Sequence, residues 1–358
     1  MDWNSLVYFP VLKTKDAELR AISAVDESYR RKMLPVYEIT KSRITKKNSV
    51  GDIIRRLDQI KSIQGKLPYI LDVTTDSKQK NSQIESILSP VNGYECWKNW
   101  LELNCGEQIV PMIHVNFELD EDLVEAKAFV ASVTNKYKRM ALRLPADLLE
   151  EEYEQIINAI VSELYDTKLY IILDEGCIRD RVKASVFGLS EITDLYHKAF
   201  TKISMLPNAD SWLERIVCLT GSFPYLVKAE GKDDKGCFEI FEHSLYLSLK
   251  HNRPLLQFGD FASVNVKQIE MRGGTFVPRI DFCTDEKFYY YRKRRDAGSY
   301  VLCAKQVVVD PNYFTNKSWA DDEISSAALG SPSGISPSFW ISVRVCNYMI
   351  RRVKLLSA

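Results

Sequence analysis

The stretch LYIILDE, residues 169–175, is a short apolar run that ends in a polar residue, and the repetition of this pattern decides the fold. Eight such runs follow one another along the chain. Their polar positions are Lys13, Glu38, Asp72, His114, Arg143, Asp174, Thr220 with Ser222, and Asp260. Each run has the length and the β-branched or aromatic content of a strand. The 25 to 46 residues between successive marked positions suit a strand, a crossover helix and a return.

Eight such units predict an α/β fold of the (β/α)8 TIM-like barrel class. Between the runs, apolar residues recur at helical spacing, as in residues 17–34, 50–63 and 148–164, and we expect these segments to form the outer ring of helices. The chain has 358 residues, whereas a barrel typically takes about 250. We therefore predict that residues 1–358 form a single barrel domain that carries an insertion.

After the eighth run, apolar runs no longer alternate with segments of helical spacing. Residues 262–330 contain three stretches rich in strand-forming residues, which are RGGTFVPRIDF (272–282), KFYYYRKRR (287–295) and SYVLCAKQVVV (299–309). They predict a small antiparallel, β-rich insertion between the eighth strand and its helix. Residues 336–356, with Ser338 after Pro337 as the candidate N-cap, predict the final helix that closes the ring.

The composition is that of a water-soluble globular protein without a strong charge bias. Lys and Arg together number 48, as do Asp and Glu, so no net field attracts duplex nucleic acid or an anionic membrane. We expect neither a signal peptide nor a membrane span. The eight cysteines are scattered without a C-x-x-C pair, which favours free thiols in the reducing cytoplasm over a disulfide framework or a zinc site.

In a TIM-like barrel the polar residues at the strand ends gather at the C-terminal mouth, where such folds place their sites. The predicted pocket residues are the cations Lys13 and Arg143, the carboxylates Glu38, Asp72, Asp174 and Asp260, and His114 as a proton-transfer candidate. Crowded carboxylates raise one another's pKa, and nearby cations lower it, so mixed protonation states are physically reasonable. Three interpretations stay open: a structural charge network, a binding pocket without turnover, and a catalytic pocket.

A metal ion is a further alternative for the same carboxylates, since oxygen ligands suit a Mg²⁺-like ion. No compact ligand motif requires one, and Lys13 and Arg143 are able to neutralise the acids instead. We therefore predict neither a metal nor a cofactor.

The stretch FYYYRKRR, residues 288–295, mixes aromatic residues with four consecutive cations. Such a mixture suits stacking and phosphate contact. One interpretation is a solvated edge strand protected by its charges. The other is a clamp over the barrel mouth, in which Tyr290 or Arg292 contacts an anionic ligand.

Several strings together resemble a known family. They are YFPVLKTKDAELRAI (8–22), LPVYEI (34–39), LDVT (71–74), QFGDFAS (257–263) and RKRRDAGSY (292–300). They are similar to the beta protein family, which takes its name from the beta gene of an enterobacterial satellite phage. The similarity extends over most of the chain, with the opening string and the GDF string as its specific parts.

This resemblance implies a role in a small mobile-element cassette, in which beta accompanies a host-killing protein called Gop and a regulator-like third gene, and prevents the killing. Such cassettes look like phage-defence modules, and the resemblance supplies no catalytic residues. Two hypotheses follow. The preferred one is an antitoxin-like component that restrains its companion toxin by direct protein binding. The alternative is an enzyme that acts on a small anionic substrate, containing a nucleotide or phosphate, at the C-terminal mouth; fold alone does not choose between them.

Overall fold

A closed barrel of eight parallel strands forms the centre of the computed structural model, which describes residues 2–46, 48–267 and 276–358. This confirms the predicted (β/α)8 TIM-like fold. The barrel strands are β1 (Tyr8–Lys13), β2 (Val36–Ile39), β3 (Tyr69–Val73), β4 (Ile109–Ile113), β5 (Arg139–Pro145), β6 (Lys168–Cys177), β7 (Leu213–Gly221) and β9 (Leu256–Asp260). A parallel pairing between β1 and β9 closes the ring, so the barrel has no free sheet edge.

Helices connect the barrel strands and form the outer layer. They are α1 (Asp16–Ser23), α2 (Glu27–Arg30), α3 (Ile54–Gln64), α4 (Ser82–Ile87), α5 (Val91–Asn104), α6 (Val124–Val133), α7 (Glu150–Val161), α8 (Arg179–Ala184), α9 (Gly188–Ser204), α10 (Ala209–Trp212) and α11 (Phe241–Lys250). The predicted helix over residues 17–34 is interrupted, because Asp26 has an extended backbone at the start of α2.

Strand alternation divides the apolar residues into two cores. Inward-facing side chains such as Val36, Ile70 and Ile172 fill the barrel interior. Their outward-facing neighbours, such as Tyr37 and Leu71, pack against the helices. Because successive residues of a strand point to opposite faces, the inward-facing position two residues after Val36 or Ile70 holds a polar group, Glu38 in β2 and Asp72 in β3, at the C-terminal end of the strand. The barrel therefore has a filled interior and a polar mouth.

A small antiparallel sheet lies beside the barrel, in the order β10 (Arg279–Cys283), β11 (Lys287–Arg292) and β8 (Lys235–Glu239). The strand predicted within SYVLCAKQVVV is wrong, because Ser299–Val308 forms helix α12. Its buried residues, Tyr300, Cys303, Ala304 and Val307, have helical spacing. The third strand of the sheet is β8, which precedes the eighth barrel strand and which the sequence patterns did not reveal. Residues 272–275 of the first predicted stretch lie outside the described residues.

Two further helices complete the chain, α13 (Trp319–Ala328) and α14 (Pro337–Leu356). The N-cap of α14 is Ser336, whose hydroxyl accepts a hydrogen bond from the backbone N–H of Phe339 at 3.2 Å. The predicted cap, Ser338, lies inside the first turn, since Pro337 already occupies a helical position where its missing N–H is tolerated. α14 packs against both α1 and β10, so it joins the barrel to the small sheet.

All eight cysteines are free thiols, and Cys218, Cys283, Cys303 and Cys346 are buried. Among the helices that the structure describes, none combines the length and the apolar character needed to cross a bilayer.

Candidate functional site

A cavity of about 540 Å³ opens at the C-terminal mouth of the barrel, and we call it the mouth cavity. Its wall contains the predicted pocket residues Lys13, Glu38, Asp72, His114, Arg143 and Asp174. Strand register brings them together: Lys13 pairs with Glu38 across β1 and β2, and Glu38 pairs with Asp72 across β2 and β3. All three occupy inward-facing positions at one level of the barrel, which is the physical reason for their convergence.

The guanidinium of Arg143 lies at the centre of this cavity and bonds to three carboxylates. Its Nε and Nη2 donate to Oδ2 of Asp174 at 2.9 and 2.7 Å. Its Nη1 donates to Asp72 Oδ2 at 3.2 Å and to Glu38 Oε2 at 3.3 Å. Burial opposes the charge, but Asp174, Glu38 and Asp72 outweigh burial and raise the pKa of Arg143 above its usual range. The central cation is therefore permanently charged, and four of its five N–H groups bond to protein acids.

Lys13 supplies the second cation of the cavity. Its Nζ donates to the backbone oxygen of Val266 at 3.3 Å and lies 3.9 Å from Oε1 of Glu38. The loop that follows β9 thus contacts the mouth through Lys13. Glu38 consequently has cations on two sides, Arg143 and Lys13.

The pKa of Asp72 is shifted toward neutral pH. Burial, assisted by the charge of Glu38, raises the pKa of Asp72 to about 6, while Arg143 works in the opposite direction. His114 is adjacent, with Nδ1 3.9 Å from Oδ1 of Asp72. Burial lowers the pKa of His114 to about 4, so the imidazole is neutral at pH 7. Its Nε2 is buried without a hydrogen-bond partner among the residues described.

Asp260 does not join the other predicted pocket residues, which corrects the grouping made from the sequence. Its carboxylate accepts hydrogen bonds from the hydroxyls of Tyr8 and Tyr348, at 2.6 and 2.7 Å, and from the backbone N–H of Ala262 at 2.8 Å. The reason is the phase of β9. Gly259 faces the interior, where a Cβ would come within 2.7 Å of the Val217 side chain, so Asp260 faces outward toward α14.

Tyr290 and Arg292 do not line the mouth cavity either, which corrects the prediction of a clamp. Tyr290 is fully buried, and its hydroxyl donates to the backbone oxygen of Lys232 at 2.6 Å. Its ring occupies the space above Gly236, where a Cβ would lie 2.7 Å from ring atoms. Arg292 bonds to the carboxylate and the carbonyl of Asp233. Both side chains bond to the loop before β8, so they stabilise the small sheet.

A second cavity, of about 460 Å³, lies next to the mouth and shares Lys13 and Lys267 with it. We call it the side cavity. Glu18 of α1 and Arg344 of α14 both line it, and both are buried. The pattern of strand ends does not reveal them, because both residues come from helices. The available signal was a charged residue on a buried face of a helix, as Arg344 shows between Trp340 and Tyr348, which are buried one turn to either side.

Metal ligation has no support in the geometry of the acids. In residues 2–46, 48–267 and 276–358, no group of three or more His, Cys, Asp or Glu side chains is arranged to hold an ion. The mouth carboxylates bond to Arg143 instead.

Comparison with known proteins gives one family and one relative. The model of the family described as "Beta protein" matches residues 8–354. The protein named "Protein beta" of Enterobacteria phage P4 is 26% identical to this chain over 359 residues, which cover 98% of this chain and 94% of the phage protein. No solved structure matches the chain.

Proposed function

The chain belongs to the Beta protein family, and from this premise we propose that it is the antitoxin-like, regulatory component of a mobile-element phage-defence cassette. In this proposal it restrains the companion toxin by direct binding, with the face around the barrel mouth as the contact surface. The occurrence of a relative in a phage supports the link to mobile elements. The cassette and its toxin are what the family resemblance implies.

The observation that carries the proposed contact surface is a set of exposed apolar side chains on the loops around the mouth. In a parallel barrel, every connection that leaves the C-terminal end of a strand lies on the same face. The connections after β2, β4, β5, β6 and β7 expose nine large apolar residues, which are Ile44, Val50, Phe117, Leu119, Leu149, Val186, Phe187, Tyr225 and Leu226. We call them the mouth rim. Single exposed apolar residues are ordinary, but nine on one face around a cavity favour a protein contact.

The charge network beneath the rim supports binding over turnover. Arg143 bonds to three carboxylates through Nε and both terminal nitrogens, so the central cation is already neutralised by protein groups. An anionic substrate would meet a guanidinium whose charge is already neutralised by Asp72, Glu38 and Asp174. A network of satisfied charges instead suits a rigid base for the loops that carry the rim.

The direct test is co-expression with the companion toxin, followed by pull-down and growth assays. The rim variant is the double substitution Phe117→Asp and Leu119→Asp in the loop after β4. The control is Leu103→Asp, because Leu103 is also an exposed apolar residue, at 84% against 47% for Phe117 and 68% for Leu119, but lies at the C-terminal end of α5, on the opposite side of the barrel. We expect the rim variant to lose toxin retention and protection, whereas the control keeps both. A folded rim variant that still retains the toxin and protects would contradict the proposed surface.

A second candidate function is an enzyme that acts on a small anionic substrate in the mouth cavity. The specific observation in its favour is the pair formed by Asp72 and His114. A carboxyl with a pKa of about 6 beside a neutral imidazole suits proton transfer near neutral pH. This candidate predicts that Asp72→Asn abolishes protection while toxin retention persists, the reverse of what the binding mechanism predicts.

A further inference from the structure

The side cavity contains a buried carboxylate, that of Glu18, to which no side chain of residues 2–46, 48–267 and 276–358 donates a hydrogen bond. Glu18 is only 5% exposed and lies in the first turn of α1, facing the cavity. Its own backbone N–H bonds to the carboxylate, but no side chain in the described part of the protein donates a hydrogen bond to it. Burial raises the pKa of Glu18, and Lys15, Lys13 and Arg344 oppose that rise. A buried carboxylate costs folding free energy unless donors reach it, so Glu18 has capacity for a ligand that supplies them.

Arg344 provides a flat surface in the same cavity. Its guanidinium lies 4.1 Å from the centre of the Phe223 ring, which is a stacked arrangement. One nitrogen pairs with Asp281 at 3.0 Å, while the buried Nε has no hydrogen-bond partner among the described residues. Guanidinium planes of this kind stack nucleic-acid bases. Apolar side chains, including Val264 and Ile341, complete the wall.

The side cavity carries an excess of positive charge. The cations that line it are Lys13, Lys15, Lys267, Arg56, Arg279 and Arg344, against the acids Asp16 and Glu18. Arg56 pairs with Asp16, and Arg279 pairs with Asp281, so these two are partly neutralised. Lys15 lines the side cavity, and Lys267 lines both the side cavity and the mouth cavity. Burial lowers the pKa of Lys15, and an anion would favour its charged form.

Taken together, these groups define the chemistry of a ligand: a flat ring, a pair of hydrogen-bond donors on its edge, and an anionic group. We propose that the side cavity binds a purine nucleotide, with a guanine base stacked on Arg344 and bonded to Glu18 and with its phosphate at Lys15 and Lys267. A carboxylate only accepts hydrogen bonds, and guanine presents adjacent N–H donors on its Watson–Crick edge, whereas adenine presents an acceptor there. The volume of about 460 Å³ falls in the usual range for small-molecule sites. The side cavity has one mouth-rim residue, Tyr225, in its wall, but the inference does not depend on the proposed toxin binding.

Isothermal titration calorimetry of the full chain tests this proposal with three probes: guanosine 5′-monophosphate, adenosine 5′-monophosphate and ribose 5-phosphate. We expect saturable binding of the guanosine nucleotide, binding of the adenosine nucleotide weaker by about 10-fold, and still weaker binding of ribose 5-phosphate. Glu18→Gln should weaken the guanosine nucleotide by about 10- to 100-fold, the usual cost of losing hydrogen bonds to a charged group. Lys15→Met should weaken all three probes.

The matched control is Glu27→Gln, the same change at an exposed residue of α2 outside the cavity, which should leave affinity unchanged. A melting curve for each variant verifies folding. Three outcomes would overturn the proposal: no saturable binding of the guanosine nucleotide, equal affinity for both nucleotides, or an unchanged affinity in folded Glu18→Gln. Loss of binding in Asp72→Asn but not in Glu18→Gln would also overturn it, because the nucleotide would then occupy the mouth.

Discussion

The mouth cavity and the side cavity are neighbours that differ in whether their buried charged groups have hydrogen-bond partners. In the mouth, Arg143 bonds to three carboxylates, so each of these acids has a cationic hydrogen-bond donor. In the side cavity, Glu18 and the Nε of Arg344 are buried without such partners among the described residues. Removing one member of a hydrogen-bonded charge network destabilises the fold. Buried groups without partners lower the free energy of unfolding, and they are available to bind a ligand. The comparison therefore separates a scaffold from a candidate binding site within one face of the protein.

The largest expected effect comes from removing the centre of the mouth network. Arg143→Leu removes the guanidinium that Glu38, Asp72 and Asp174 share, and we expect it to lower the free energy of unfolding by about 3 to 5 kcal/mol. Urea unfolding measures the change. Arg55→Leu, at an exposed position of α3, is the control and should change stability by less than about 0.5 kcal/mol. Equal, small losses in both variants would show that the mouth network does not support the fold.

The pH dependence of Asp72 is the next largest effect. Burial raises its pKa in the folded state to about 6 from 3.8, so the folded protein holds this proton more tightly than the unfolded chain does. This group therefore contributes most stability below pH 4, and its contribution is lost as the pH rises from about 4 to about 6, by on the order of 3 kcal/mol. The Asp72→Asn variant has no carboxyl to titrate at this position. As the pH rises from about 4 to about 6, the wild-type protein should therefore lose stability relative to this variant.

Urea unfolding of both proteins at intervals between pH 4 and pH 7 measures that difference. A difference between the two proteins that does not change with pH would contradict the raised pKa, and with it the role of Asp72 as a proton-transfer candidate.

The same Glu→Gln substitution in each cavity tests the comparison with a smaller expected change in the free energy of unfolding. Glu38→Gln removes a carboxylate that has Arg143 and Lys13 beside it, and we expect a loss of about 1 to 3 kcal/mol in the free energy of unfolding. Glu18→Gln makes the same chemical change at a carboxylate to which no side chain in the described part of the chain donates a hydrogen bond, so stability should be unchanged or higher. Thermal melts of the two variants side by side measure this. If Glu18→Gln lowers the free energy of unfolding as much as Glu38→Gln does, the carboxylate of Glu18 is as well bonded as that of Glu38, and the contrast between the two cavities is wrong.

The barrel and most of its mouth were predictable because both depend on local, periodic information. An apolar run ended by a polar residue marks a strand end, and alternation within the strand then places Glu38 and Asp72 at one level. The prediction that Asp260 faces the mouth was wrong. Which residues of β9 face inward depends on the close approach of Gly259 to Val217, a tertiary contact that the sequence pattern does not reveal.

The remaining errors have related causes. The run that forms α12 is rich in β-branched residues, and burial at helical spacing in the folded protein overrides their strand preference. Glu18 and Arg344 meet only because α14 packs against α1, and no sequence period in either helix encodes that pairing. Periodic patterns predict strand ends well, whereas a site built between helices requires the packing itself.

The most direct test of the central claim, that this protein protects by binding a toxin rather than by turning over a substrate, is a survival count. Cells that express the companion toxin receive wild-type protein, Asp72→Asn or His114→Gln, each verified to be folded and to retain the toxin. The binding mechanism predicts that both variants protect nearly as well as wild type, because acid and base groups matter only when a substrate is converted. Lost protection with folding and toxin retention preserved would contradict it and identify the mouth cavity as an active site.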